Sequence, residues 1–324
     1  MFLSFLYACK HAFIAFCRGR EYNITCKIIE SRHSMGTKLE NAVELIKSEG
    51  FTGAHSFIFL TRWASLADDK ALMKIIGNSL EEMSTMQESA SLAYAYAEYY
   101  EAEKAAFCPA AVDFILPRCS GSDRMLFPAL AKCGRVFGKE EFLQRAGEMA
   151  LYAEDVFTQP EERPFAALGM LELYRATDSG EFLNSAVEIA EEIRQSFTDS
   201  FDPKAVYDME QPSGNSAVAV LYDQLARITQ EERWVKARDV QNRFISLLAD
   251  KYPTRVAFGL CALLADEFEA KTILCAVPGE DYSAQLRALL SFYAPLTERI
   301  IVRTETEREK YFLMEKGELK EIRF

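Results

Sequence analysis

The chain has 324 residues, of which 49% are hydrophobic and 12% aromatic, and a formal net charge of -12. That is ample apolar material for one large core or two modest ones, so disorder is excluded as the default state. The acidic balance argues against binding nucleic acid or an anionic membrane surface through bulk electrostatics.

Residues 1–34 stand apart from the rest. An apolar, aromatic opening is interrupted by Lys10 and His11 before it reaches membrane-spanning length. It has neither a basic leader region nor a small-residue cleavage site. Two readings stay open: an over-extended start with Met35 as the true initiator, or a remnant of an upstream domain.

From Leu39 onward the pattern is helical. Apolar residues recur at helix spacing over 39–46, 57–66, 72–83, 92–100, 110–116, 125–136, 142–156, 165–174, 182–193, 217–228, 234–248 and 256–268. Breaks are expected at Gly50, Pro109, Pro117, Gly121, Gly138, Pro160, Pro164, Gly180, Pro203, Pro212 and Pro253. The helices repeat as hairpins: residues 136–146, 176–186 and 228–237 each run from a helix end through a polar turn into an aromatic residue and then Ala. A weaker copy lies at 66–72. A period of roughly 40 to 50 residues suits a helical-hairpin array. The first helix of each pair (127–136, 165–174, 217–228) is apolar nearly all round. The second (141–157, 181–197, 231–248) has a charged face. That asymmetry predicts buried inner helices and water-facing outer ones, hence a mainly α fold, an α/α toroid over residues 35–268.

The stretch 207–229 is the best candidate mouth of such a ring. Pro212 stops any preceding helix, Ser213 or Asn215 can cap the next, and Gly214 admits close backbone approach. Free N–H groups at that helix start can hold an anionic or hydroxyl-rich ligand.

After Phe268 the pattern changes. Residues 272–277 read as a buried strand, 283–293 as a helix, 299–303 as a second strand and 311–319 as a hairpin around Lys316 and Gly317. No Gly-rich phosphate loop follows the first strand. Residues 269–324 are expected to be a small α/β structural appendage.

Eight cysteines (Cys9, Cys17, Cys26, Cys108, Cys119, Cys133, Cys261 and Cys275) include no C-x-x-C pair. Zinc and thioredoxin-type sites lack their signature, so no metal and no cofactor is expected. The thiols read as reduced and buried, in a cytoplasmic protein. Only three histidines occur, His11, His33 and His55. All precede the hairpin array's best motif, which argues against a histidine-based apparatus in the main body.

Four segments carry a family likeness: 129–136, 171–177, Tyr207-Asp208 with Pro212-Ser213-Gly214-Asn215-Ser216, and the strand–helix–strand of 272–302. Through them the chain resembles the helical part of the YyaL-type (spermatogenesis-associated, thioredoxin-domain-containing) family. That family's six-hairpin toroid is similar to those of N-acylglucosamine 2-epimerases and many glycosidases. The family's thioredoxin-like domain has no counterpart here. Its His-Phe-Glu-Lys-Met-Leu-Tyr-Asp motif is replaced by residues 87–94, its Trp-Asn pair by Ser122-Asp123, and its Glu-Asp-Tyr by Glu161-Glu162-Arg163. The scaffold is kept and the pocket lining has changed most.

Glycoside cleavage needs paired carboxylates across a pocket. The candidates at pocket-facing loops are Asp208, Asp123 and Glu162, with Arg124 and Arg163 as their partners. Tyr207, Ser213, Gly214 and Asn215 are the candidate ligand contacts. Tyr94, Tyr96, Tyr99 and Tyr100 offer either a sugar-stacking face or core packing. Two functions follow. One is a catalytically degenerate six-hairpin protein that binds a carbohydrate, another small polar ligand or a protein partner. The other is a carbohydrate epimerase, isomerase or glycosidase using those carboxylates.

Overall fold

Five helical hairpins turn on one local device. Asp68, Lys104, Gly138, Asp178 and Gln230 all have left-handed backbone (φ 53 to 64). Each donates its N–H to the carbonyl four positions back, at Ala64, Tyr100, Gly134, Tyr174 and Ala226. This closure satisfies carbonyls that would otherwise be orphaned at a helix end and stops the helix within one residue. Only Gly138 adopts the conformation without side-chain strain; the other four each give up about 1 kcal/mol to it.

The computed structural model describes residues 36–50, 53–83, 89–196, 206–278, 285–286, 289, 293–304, 309–315 and 318–322. The readings made for residues 1–34, for the Lys316-Gly317 turn and for most of the 283–293 helix fall outside these residues. The helices are α1 (Gly36–Glu49), α2 (Ala54–Ala67), α3 (Lys70–Met83), α4 (Ala90–Glu103), α5 (Phe107–Ile115), α6 (Leu126–Phe137), α7 (Glu140–Leu151), α8 (Ala153–Val156), α9 (Arg163–Thr177), α10 (Gly180–Ser196), α11 (Gly214–Thr229), α12 (Glu232–Ala249) and α13 (Ala257–Glu267). The strands are β1 (Lys271–Pro278), β2 (Thr297–Thr304), β3 (Lys310–Glu315) and β4 (Glu318–Ile322).

The protein is therefore mainly helical with a small C-terminal sheet. Two expected boundaries are corrected. The helix expected over 142–156 is split at Tyr152, whose backbone (φ -115, ψ 21) leaves the helical region. Pro109 does not break a helix; it lies in the first turn of α5, where its missing N–H is not needed.

Six helices, α2, α4, α6, α9, α11 and α13, pack in that cyclic order, and α13 returns to α2. Behind them lie α3, α5, α7, α10 and α12, each on its hairpin partner, with α1 on α13. Burial follows the expected asymmetry. In α11 every residue but Arg227 is buried, whereas α7 buries only Phe142 and Ala146. Apolar residues on both sides of the inner helices leave no face for water, and the amphipathic outer helices supply it.

The C-terminal halves of α2, α4, α6, α9 and α11 meet in an alternating chain of buried charge. Arg62 pairs with Glu98 (2.9 Å), Glu98 with Lys132 (3.0 Å), and Lys132 with Glu101 (2.7 Å). Glu101 pairs with Arg135 (2.8 Å), Arg135 with Glu172 (3.3 Å), and Glu172 with Arg175 (3.3 Å). Five cations and five anions alternate once Glu298, Arg227 and Asp223 complete the chain. Glu298 receives Arg175 (3.5 Å) and Arg227, and Arg227 also meets Asp223 (3.1 Å). Cations belong here, because the carbonyl ends of helices carry partial negative charge. Burial pushes the Glu172 carboxyl up, but Lys132, Arg175 and Arg135 outweigh it and bring it from an ordinary 4.5 to about 2.

Glu298 stands on β2, and the Tyr293 hydroxyl donates to Glu98 (3.0 Å). The C-terminal unit thus supplies members of the charge chain. Its sheet has the order β2-β1-β3-β4, with β1 parallel to β2 and antiparallel to β3. That puts β1 at the interior, which is why 272–277 is apolar without alternation.

Candidate functional site

The opposite end, where the inner helices begin, holds a cavity of about 720 Å³. Five helix starts reach it: Gly53, Ala54 and His55 at α2, Ser89 at α4, Asp123 before α6, Asp208 to Gln211 before α11, and Thr254 with Arg255 before α13. Glu49, from the end of α1, completes the lining.

Asp208 and Asp123 are both in this lining, as the sequence placed them, and both are buried. Each of their oxygens accepts one backbone N–H. Asp208 Oδ1 accepts from the Ser213 N–H (2.8 Å) and Oδ2 from the Phe258 N–H (2.9 Å). One carboxylate therefore holds the start of α11 against the start of α13. Asp123 Oδ2 accepts from the Ala90 N–H at the start of α4 (2.8 Å), and Oδ1 from the Met125 N–H (3.0 Å). Burial raises its pKa above the ordinary 3.8, and these two hydrogen bonds oppose the rise. Both acids brace neighbouring helices and satisfy N–H groups that would otherwise face the cavity.

The remaining candidates lie outside the lining. Glu162 is half-buried; it accepts from the Gln159 N–H (3.3 Å) and stands 4.0 Å from Arg124. Arg124 also reaches Glu161 at 3.9 Å, and Arg163 pairs with Glu192 on the exposed side. Ser213 is the N-cap of α11, its side chain accepting from the Ser216 N–H (3.1 Å). Asn215 is buried beneath it and accepts from Gln241 Nε2 through both its backbone oxygen (3.1 Å) and its side chain (3.4 Å). A side chain at Gly214 would come within 3.1 Å of the Glu161 carbonyl, so the glycine admits the neighbouring turn rather than a ligand. Tyr207 is half-buried, edge-on to Tyr252 (5.8 Å) and beneath Arg255 (5.7 Å).

The tyrosine run on α4 is core. Tyr96 donates to the Leu80 carbonyl (2.7 Å), Tyr94 to Glu172 (3.0 Å), and Tyr99 to the Met73 carbonyl (3.4 Å). Tyr100 packs against Phe137 at 4.9 Å.

His55 is not among the residues the sequence singles out, yet the packing of α13 on α2 brings it and Asp208 to one cavity. His55 is 2% exposed, and its Nδ1 has no hydrogen-bond partner among the described residues. Burial pushes its pKa below the ordinary 6.5; the Asp208 charge and a hydrogen bond to the Thr254 backbone offset this only in part. The result is a buried imidazole whose neutral form is favoured. Its ring lies over the Cα of Gly53: a Cβ there would be 2.5 Å from the ring. The available signal was positional. Gly53-Ala54-His55 opens an inner helix just as the 212–216 turn does.

Among the described residues no group of three or more His, Cys, Asp or Glu is arranged to hold a metal ion. Nor is any helix among them long and apolar enough to cross a membrane. Compared with known proteins, the chain matches no family model and no curated protein.

Proposed function

We propose that this chain is an α/α toroid of the six-hairpin kind, akin to the helical part of the YyaL-type family, and that its mouth binds a small polar ligand without turning it over. The cyclic packing of six helices, each backed by an outer one, supports the architecture. One observation carries the function: each of the four oxygens of the two cavity aspartates accepts a backbone N–H, so these carboxylates are engaged in bracing helix starts. A glycosidase needs one carboxyl free to protonate the leaving group and another free to attack or activate water. What is left at the mouth is a polar, hydroxyl-matching surface of Ser89, Thr254 and Gln211. The buried free thiols Cys108, Cys119, Cys133, Cys261 and Cys275 suit a reducing, cytoplasmic setting.

A second reading is favoured by His55 alone. A neutral imidazole whose pKa responds to Asp208 has the makings of a general base, as an epimerase or isomerase requires. Thermal-shift screening over neutral, cationic and anionic sugars, joined to turnover assays on the same compounds, separates the readings. The binding reading expects stabilisation of the folded chain with no product. Product formation abolished by His55→Gln would overturn it in favour of the enzyme, and no stabilisation by any sugar would remove both.

A further inference from the structure

We infer that the cavity takes a ligand bearing a carboxylate beside hydroxyl groups, of the sugar-acid class, with the Arg255 guanidinium receiving the carboxylate and Ser89, Thr254 and Gln211 meeting the hydroxyls. The inference rests on the ligand-binding reading of the same cavity and narrows it.

Three observations converge on Arg255. First, it is the one Arg or Lys of the lining, and among the described residues its guanidinium pairs with no carboxylate. The two buried aspartates of the same lining accept backbone N–H groups instead. Second, its place is fixed without spending its donors. The Arg255 N–H donates to the Tyr252 carbonyl (3.0 Å), and its carbonyl accepts from the Asp208 N–H (2.6 Å). The guanidinium lies over the rings of Tyr207 (5.7 Å) and Tyr252 (6.0 Å). Those contacts act through the charge and leave the N–H groups to a ligand. A guanidinium presents them as a planar fork that fits both oxygens of one carboxylate. Third, the polar groups that share the lining are free as well. Ser89 Oγ, Thr254 Oγ1 and Gln211 Nε2 have no hydrogen-bond partner among the described residues. Gln211 Oε1 accepts from the Arg124 N–H (3.2 Å), so the donor end of that amide is the one left over. Glu49 and Glu210 line the cavity too, but both are exposed, where water and salt screen their repulsion of an anion. A carboxylate seated on the fork meets its partner at contact distance, where the attraction is largest. A neutral sugar would leave the guanidinium unmatched, and an amino sugar would oppose it.

Calorimetric titration of the full chain with glucuronate, glucose and glucosamine at low salt tests this. Glucuronate should bind about fivefold tighter than glucose, the ratio expected of one partly solvated ion pair. Added salt should narrow that margin while leaving glucose unchanged. Glucosamine should bind no tighter than glucose. Arg255 is exposed, so Arg255→Gln keeps the fold, and it should bring glucuronate to the affinity of glucose. If the parent binds glucuronate and glucose equally, or if Arg255→Gln keeps the preference, the carboxylate assignment is overturned while the ligand-binding reading stands. Glucosamine binding tightest of the three would overturn it in the same way, since the exposed acids would then set the selectivity. If none of the three binds, both readings fall.

Discussion

Replacing Asp208 with Asn separates a brace from a catalyst. The carboxylate joins three backbone segments: its oxygens accept from the N–H groups of Ser213 and Phe258, and its own N–H donates to the Arg255 carbonyl (2.6 Å). An Asn side chain keeps one acceptor oxygen and turns the other position into a donor. One buried N–H then faces N–H hydrogens. A hydrogen bond to a charged group contributes about 1.5–3 kcal/mol, and loss of the anion from two helix starts adds about 0.3–1 kcal/mol. Asp208→Asn should therefore cost about 2–4 kcal/mol, and Asp208→Ala, which removes both acceptors, about 3–5 kcal/mol. At about 2 °C per kcal/mol for a chain of this size, the melting temperature of the Asn variant should fall by about 4–8 °C. The assay is urea unfolding followed by circular dichroism, with calorimetric melting as a second probe. Asp208→Asn and Asp208→Ala within about 0.5 kcal/mol of the parent would refute the brace, since only a surface-like site tolerates both.

Glu298→Ala leaves the guanidinium groups of Arg175 and Arg227 without their shared partner and should cost about 3–5 kcal/mol in urea unfolding; a loss under about 1 kcal/mol would show that the C-terminal unit is a passive appendage. Glu172 sits at about 2 in the fold, so its stabilisation is complete above its ordinary 4.5 and is lost as pH falls through that window. Melting temperature should drop steeply over this range, and Glu172→Gln should flatten the slope; equal slopes in parent and variant would contradict the ionic chain. His55, whose pKa is lowered, gives the same sign in a higher window: stability is full above its ordinary 6.5 and declines below it as the unfolded chain takes up the proton. An NMR titration of His55 with a midpoint at or above 6.5 would contradict its burial. At Gly169 a Cβ would lie 2.5 Å from the ring of fully buried Phe127, so Gly169→Ala should overpack the α6–α9 contact by about 1–3 kcal/mol, measured as a shift in urea midpoint.

Helices and turns were legible because their causes are local. The apolar period, the Pro and Gly breaks, the Ser213 cap and the difference between inner and outer members all act within a few residues. One further regularity is in the letters. Arg135, Arg175 and Arg227 each stand three positions before a left-handed turn residue, and Lys132, Glu172 and Gln224 six before. Side chains at that spacing share one face at the end of an inner helix, and this face builds the charge chain.

Local sequence alone determined the hairpins, their order and which member of each is buried, because backbone closure and amphipathicity need no distant partner. Only tertiary structure decided what the polar residues do. The return of α13 to α2 carries His55 to Asp208, and Asp208 reaches the Phe258 N–H fifty residues on. It likewise puts Glu298 between two arginines from different hairpins. An acid in a loop reads the same whether it caps a helix or meets a ligand, since the difference lies in which donors lie within about 3 Å, and chain closure sets that distance.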